Sequence, residues 1–338
     1  MKVVIQIPCL NEEETLPLVF ERMPRSIPGV DSVEFLVIDD GSTDRTLEVA
    51  RRLGVHHLIR HTRNQGLGRS FHEGVLRALE IGADVLVNTD GDNQYPSERI
   101  PDLIQPILDG SADIVIGDRQ THKIEHFSPL KKRLQRLGSK VVSIAAGTEL
   151  PDAASGFRAY SREAMIRINP VTTFSYTMET IIQAGSKRLG IDSVEIDTNP
   201  KTRESRLFKS MGEHVFKSGV TILRAYMMYR PLTFFAFLGG LLGILGLIPF
   251  VRFLALLWFT TNNGGAARHI QSLVVGSVLL IAAIITLALG VIADLIRINR
   301  ILTEDSLEQQ KRERFIRAAL PEAALFEPTV PERETTGT

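Results

Sequence analysis

The chain has 338 residues, enough for a sizeable core and one or two domains. Its 39 basic residues balance 39 acidic ones, so nucleic acid is not expected as a global partner. The single cysteine, Cys9, excludes an internal disulfide, and a small buried hydrophobe is its expected role.

The N-terminus, MKVVIQIPCLNEEE, carries an apolar run only a strand long, and acids follow at once. It is not a signal peptide, and the front of the protein is expected in the cytosol. VVIQIP reads as a strand and NEEETLPLVFERMP as the start of a helix. FLVIDDGSTD is a strand that ends in two aspartates and a turn. Ser42 or Thr43 is placed to cap the helix containing TLEVARRLG, which closes at Gly54. HHLIRH is a short strand, and RNQGLGRSFHEGVLRALEIG is a glycine-rich turn leading into a helix. DVLVNTD and DIVIGDR are further strands. Alternation at this spacing predicts an α/β fold with parallel strands and crossover helices on both faces.

Composition then changes. Residues 129–147, PLKKRLQRLGSKVVSIAAG, and 206–231, RLFKSMGEHVFKSGVTILRAYMMYRP, look amphipathic and basic, which suits an anionic membrane surface or a core-packed face with its lysines in water. Residues 232–258 and 270–293 are almost wholly apolar, and each exceeds the roughly 20 residues needed to span a bilayer. Their outer flanks carry Arg224, Arg230, Arg297, Arg300, Lys311 and Arg312, whereas the short connection has few charges. The positive-inside rule places both termini in the cytosol. The predicted organisation is a cytosolic domain over 1–205, an amphipathic juxtamembrane helix over 206–231, two spans within 232–297, and a charged cytosolic tail over 298–338.

Polar groups gather where the strands end: Pro8, Asn11 and Glu12; Asp39 and Asp40; Asp90, Asp92 and Gln94; Arg119. In a parallel sheet these ends share one edge, where ligands bind. Two carboxylates one residue apart, with an amide oxygen nearby, suit a hard ion such as Mg2+ or Mn2+. D-x-D alone is equally the pattern of solvated loop aspartates; the convergence of four strand ends favours a site.

The motifs IPCLNEE, VIDDGSTD, RNQGLGRS, NTDGDNQYP and DAASGFRAY resemble the family-2 inverting glycosyltransferases of GT-A fold (a Rossmann-like, mostly parallel sheet). Within that family the polyprenyl-phosphate sugar transferases are nearest. The resemblance covers about residues 1–205, and the two-span tail matches anchored members more loosely. It implies a nucleotide-sugar donor, a polyprenyl-phosphate acceptor (dolichyl or undecaprenyl), and Mg2+ or Mn2+. By this resemblance Pro8, Glu12 and Asp40 line the pocket for base and ribose, with Asp40 bonded to the base and Asp39 supporting the turn. Gly66 and Gly68 let the backbone approach the nucleotide. Asp90 and Gly91 face the ribose and diphosphate, and Asp90, Asp92 and Gln94 hold the metal.

Asp152 takes the position usually proposed as catalytic base. A lipid phosphate is already mostly dianionic at neutral pH, with a second pKa of about 6, so Asp152 is expected to orient the acceptor or to fix an arginine. Arg119, Lys201, Arg203 and Arg206 are candidate phosphate-binding cations, with Lys131, Lys132 and Arg133 as helpers. The chain has KTRESR where relatives often show R-x-x-G-x-S-K, and Asp118 stands where a small hydroxyl residue is common.

The expected reaction is a single in-line displacement with inversion. Its alternatives are a transferase that extends a glycan at a hydroxyl and a non-catalytic membrane scaffold. A channel is disfavoured because no acid or base sits mid-span in the second helix. A processive synthase is disfavoured because the only tryptophan, Trp258, lies within a span. UDP is slightly preferred over GDP; glucose, N-acetylglucosamine and mannose stay open, as does a homo-oligomer packed through the spans.

Overall fold

The computed structural model describes residues 1–120, 129–148, 150–170, 176–200, 219–220, 223–224, 226–259 and 270–317. The strands are β1 (Lys2–Cys9), β2 (Ser32–Asp39), β3 (His57–Arg60), β4 (Val85–Asn88), β5 (Ile114–Asp118), β6 (Arg158–Ser161) and β7 (Ile191–Glu195). They form one sheet in the order β3-β2-β1-β4-β6-β5-β7. β6 runs antiparallel to both β4 and β5; the other pairings are parallel.

The helices are α1 (Leu16–Glu21), α2 (Thr46–Arg52), α3 (Leu67–Glu80), α4 (Ile100–Leu108), α5 (Pro129–Ala146), α6 (Arg162–Arg167), α7 (Tyr176–Ser186), α8 (Pro231–Phe259) and α9 (Ile270–Arg317). Both faces of the sheet are covered, which is why β1 reads as a continuous apolar run rather than an alternating one. On one face Val4, Leu36 and Leu86 pack with Phe71 and Val75 of α3 and with α6 and α7. On the other, Val3, Ile5 and Phe35 pack with Leu16, Phe20 and Leu103 from α1 and α4.

Three details differ from the sequence reading. Neither Ser42 nor Thr43 caps α2; Asp44 Oδ1 takes the Thr46 N–H at 2.9 Å. Ser42 and Thr43 instead meet Asn11, through Asn11 N to Ser42 Oγ at 2.9 Å and Thr43 N to Asn11 Oδ1 at 2.7 Å, bracing the loops after β1 and β2. The segment after Ser155, to which the sequence reading assigns no strand, enters the middle of the sheet as β6. In α5, Ser139, Val142 and Ala146 are buried, so this part of the amphipathic segment packs on the domain; the side chains of Lys131, Lys132 and Arg133 lie outside the described residues.

α8 and α9 are long and apolar enough to cross a membrane. Their side chains point outward, with Phe237 74% and Trp258 81% exposed, a surface that fits lipid rather than water. The two helices pack on each other through Gly239, Gly246, Gly276 and Gly290. α9 then continues unbroken to Arg317 and lies along the α/β domain. Arg300 meets buried Glu179 at 3.2 Å and Tyr229 Oη at 2.9 Å, and Lys187 lies 3.6 Å from Glu304. Arg312 pairs with Glu163, and Phe315 enters the core.

Candidate active site

The C-terminal ends of β1, β2, β3, β4 and β5 lie on one edge. β6 starts at that same edge because it runs the other way, with Arg158 opposite Asn88 and Ile116. The antiparallel strand therefore delivers the loop before it, residues 150–157, to the ends of β4 and β5.

That loop carries Asp152, which is 2% exposed. Its carboxylate receives Arg119 Nε at 2.6 Å and Nη2 at 2.9 Å, a bidentate pair, plus the Ala154 N–H at 3.2 Å. Burial alone would raise the Asp152 carboxyl, but the Arg119 charge and its hydrogen bonds outweigh it and hold the group below the usual carboxylate range. Burial likewise opposes the Arg119 charge, and Asp152, Tyr95 and Asp90 together more than restore it.

Arg158 pins the loop from beneath. This fully buried side chain donates to Ala153 O at 2.9 Å, Ser155 O at 2.7 Å and Thr177 O at 2.7 Å. Gly156 is held on both sides: its N–H donates to Tyr95 Oη at 2.8 Å, and its carbonyl accepts from Asn88 Nδ2 at 2.9 Å. Burial pushes the Tyr95 hydroxyl up to about 12. A Cβ on Gly156 would come within 3.3 Å of Asp90 Oδ2, so the Asp152 loop and the β4 carboxylates are neighbours.

After β4, Asp92 Oδ1 accepts the Gln94 N–H at 3.1 Å, folding the D-x-D segment into a tight turn with Asn93 at φ 59°. Asn199 N donates to Gln94 O at 3.0 Å. Gly91 lies against the loop after β1, where a Cβ would fall 3.1 Å from Cys9 Sγ and 3.2 Å from Glu12 Cγ, so a larger residue would have to push these side chains aside. Pro8 is buried in β1 opposite Ile38. Glu12 Oε2 accepts from Thr15 at 2.6 Å.

Asp40 occupies a different setting. It accepts the N–H groups of Gln65 at 2.8 Å and Gly66 at 2.9 Å and contacts His61 Nδ1 at 2.7 Å. His61 Nε2 meets Glu73 Oε2 at 2.8 Å, and Glu73 Oε1 accepts from Arg69 at 2.7 Å. The glycine-rich turn is thus tied down through Asp40, His61 and Glu73. Burial would lower the His61 imidazole, but hydrogen bonds and charge from Asp40 and Glu73 raise it above its usual value. Asp39 accepts the Ser42 N–H at 3.0 Å within the turn after β2. Gly68, in the first turn of α3, is buried.

The structure brings Pro8, Glu12, Asp90, Gly91, Asp92, Gln94, Arg119 and Asp152 to one edge, with Asp40 and Gly66 beside them. Lys201, Arg203 and Arg206 lie outside the described residues. Sequence reasoning missed His61, Tyr95, Asn88, Arg158 and Tyr176, whose hydroxyl accepts from Asn88 Nδ2 at 2.7 Å and donates to Gly156 O at 3.3 Å. His61 was within reach of the strand-end argument, because HLIRH ends on it at the same edge.

Among the described residues, no three or more His, Cys, Asp or Glu gather to hold a metal by themselves. Two hard carboxylates with an amide beside them do fit a divalent ion that completes its shell from ligand phosphates and water.

This edge, with its paired carboxylates and bound arginine, defines a sheet-edge ligand site of the kind that handles phosphorylated substrates. Residues 4–168 match the model of Glycosyl transferase family 2. An undecaprenyl-phosphate mannosyltransferase of Micrococcus luteus is 31% identical over 232 residues, covering 66% of this chain and 93% of that protein. The chain belongs to glycosyl transferase family 2. A dolichol-phosphate mannosyltransferase of Pyrococcus furiosus is 35% identical over 192 residues, 54% of this chain and 53% of that protein. The GT-A fold is shared with glucosyl-3-phosphoglycerate synthase from Mycobacterium tuberculosis, solved with Mn2+, UDP-glucose and phosphoglyceric acid. That match has a TM-score of 0.53 at 22% identity and covers 67% of this chain and 79% of that one.

Proposed function

We propose that the chain moves a sugar from a nucleotide sugar to a polyprenyl phosphate with inversion, anchored by α8 and α9 with its catalytic domain and both termini in the cytosol. The observation that carries the choice of acceptor is the Asp152–Arg119 pair. A carboxylate whose two oxygens engage one guanidinium, and whose pKa is held down by it, is a weak base. A hydroxyl acceptor needs a base to take its proton; a phosphate acceptor is already ionised. The pair therefore supports a positioning role, with Arg119 held rigidly by Nε and Nη2 and its Nη1, outside that bidentate contact, the group that would donate to an incoming phosphate.

The two relatives, both named as polyprenol-phosphate mannosyltransferases, support the same acceptor class. A phosphate oxygen attacks the anomeric carbon, the bond from that carbon to the nucleoside diphosphate breaks on the opposite face, and an α-linked donor gives a β-linked product. Asp90 and Asp92, with Gln94 beside them, would hold a divalent cation, Mg2+ or Mn2+, which offsets charge on the departing diphosphate. The protein fixes the geometry: the Asp40-anchored turn closes on the nucleotide, and Arg158 and Tyr95 hold the loop that carries Asp152. The outer flanks of the apolar helices, rich in arginine and lysine, support the cytosolic orientation.

The test uses purified chain in detergent with Mg2+ or Mn2+ and radiolabelled UDP-glucose, UDP-N-acetylglucosamine or GDP-mannose. Each donor is offered with a short polyprenyl phosphate and, separately, with a lipid-linked glycan bearing free hydroxyls. Label entering the polyprenyl phosphate from one donor, and lost in Asp92→Ala, is the expected result. Label entering only the hydroxyl acceptor would overturn the reading.

A further inference from the structure

Away from the carboxylate edge, α3, the turn after α6 and the docked end of α9 enclose a cavity of about 480 Å³. That is the size of a small-molecule site. Among the described residues its lining contains Arg69, His72, Asn169, Gln310, Lys311 and Arg314 and no carboxylate.

Three of these groups are in an unusual state. Lys311 is only 9% exposed, and its ammonium donates to two backbone carbonyls, Ile168 O at 3.1 Å and Met165 O at 3.3 Å. It forms no ion pair among the described residues. The Glu308 carboxylate one turn earlier favours its charge without an ion-pair contact, whereas burial and the Lys187 charge oppose it, so a further anion reaching it would be stabilising. Asn169 is 7% exposed, and its Nδ2 has no hydrogen-bond partner. Its backbone is clamped from both directions by Gln183, through Asn169 N to Gln183 Oε1 at 2.7 Å and Gln183 Nε2 to Asn169 O at 2.8 Å. The backbone of Asn169 is thereby fixed beside the cavity. His72 Nδ1 is likewise buried and unpartnered.

Arg69 and Arg314 each spend one edge on a carboxylate outside the lining, Glu73 at 2.7 Å and Glu80 at 2.8 Å. Leu76, Leu307 and Phe315 supply apolar wall.

We propose that this cavity is a second ligand site, which takes a soluble small organic phosphate of sugar-phosphate size. Three cations, in a lining without carboxylates among the described residues, match a dianionic phosphate better than a single carboxylate. The apolar walls take the organic part. Leu307 stands about 20 Å along the helix from Asp294 at the edge of the apolar stretch, at about 1.5 Å per residue, which favours a soluble ligand over a lipid headgroup. Arg69 belongs both to this cavity and to the Glu73–His61–Asp40 chain, so an occupant would touch the support of the glycine-rich turn.

The test uses the full chain in phosphatidylcholine nanodiscs with EDTA present. Inorganic phosphate and glucose 6-phosphate are titrated by calorimetry to about 10 mM. Saturable binding is expected, with glucose 6-phosphate tighter than phosphate. Lys311→Met and, at a solvent-exposed position where folding is not at risk, Arg314→Gln should each weaken it about tenfold. Asp92→Asn should leave it unchanged, which separates this site from the transferase site whether or not the transferase reading holds. Absence of saturable binding overturns the proposal. So does binding that is lost in Asp92→Asn and kept in Arg314→Gln. Loss of phosphate binding when the discs contain phosphatidylglycerol would assign the cavity to a lipid headgroup and equally overturn it.

Discussion

Asp152 and Arg119 stabilise each other by an arrangement that neither tolerates losing. Asp152 is almost fully buried, and the Arg119 side chain is 17% exposed. Removing one member of such a pair leaves the other buried and uncompensated, at a cost of about 3–5 kcal/mol. Asp152→Ala is therefore expected to lose about 3 kcal/mol of stability in chemical denaturation, and adding Arg119→Met should recover part of it. Because the Asp152 carboxyl is depressed, its contribution is present above the ordinary carboxylate pKa of about 4. It is lost only as pH falls through the lower folded value. Asp152 should thus produce no acid limb in kcat between about pH 5 and 7; a limb there that disappears in Asp152→Asn would restore the base role. His61 has the opposite sign. Its folded pKa is raised, so its support of the turn is complete below about 6.5 and fades as pH rises through the folded value. Glu73, lowered by Arg69 and His61 against the effect of burial, contributes above about 4.3 and fails only in stronger acid. Hydrogen exchange at Gln65 and Gly66, corrected for intrinsic rate, should lose protection on passing from mildly acid to alkaline pH. In His61→Gln that pH dependence should vanish.

At the scale of elements, β1 to β5 were legible because each is a run rich in apolar residues bounded by turn residues, whereas β7, IDSVE, carries acids and is largely unburied and went unread. β6 was not legible either. Its four residues, Arg158–Ser161, are too few for a period, and their direction depends on the long connection from Asp118 around to Arg158. The SGFR stretch was visible as a motif, but the role of its arginine was not: the structure spends it on three backbone carbonyls and the Thr180 hydroxyl. The same limit hides Tyr95 and Tyr176: a buried tyrosine that orders a loop looks like any core aromatic. Helix packing gives a sharper test. Gly185 of α7 crosses α5 so closely that a Cβ would sit 2.0 Å from Ala146 O and 2.7 Å from Ala146 C. These are backbone atoms that cannot move aside. In an exposed helix Gly→Ala would add about 1 kcal/mol. Here overpacking should win, and Gly185→Ala should cost about 1–3 kcal/mol net, read as a lowered Tm. A raised Tm would mean that α5 does not sit on α7 this way.

The whole molecule is tied together by α9. Its 48 residues extend about 70 Å, while a bilayer core takes about 30 Å, so more than half of the helix lies beyond the hydrocarbon. From sequence, residues 298–338 read only as a charged cytosolic tail. The structure uses that charge for docking: Arg300 reaches buried Glu179, Arg312 reaches Glu163, and Lys187 lies between Glu304 and Glu308. Phe315, 5% exposed, closes one end of the core. The α/β domain is therefore completed by residues more than a hundred positions beyond its last strand, and the second apolar helix runs unbroken into the segment docked on it. Deleting a buried phenylalanine ring costs about 3–5 kcal/mol. Phe315→Ala should thus destabilise the catalytic domain by about 3 kcal/mol, although it lies outside the family-matched region of residues 4–168. A fragment ending at residue 205 should unfold at a lower temperature than the full chain in detergent, and a peptide spanning residues 295–317 should raise its Tm in a concentration-dependent way. If neither the substitution nor the peptide moves the unfolding transition, α9 is an anchor only.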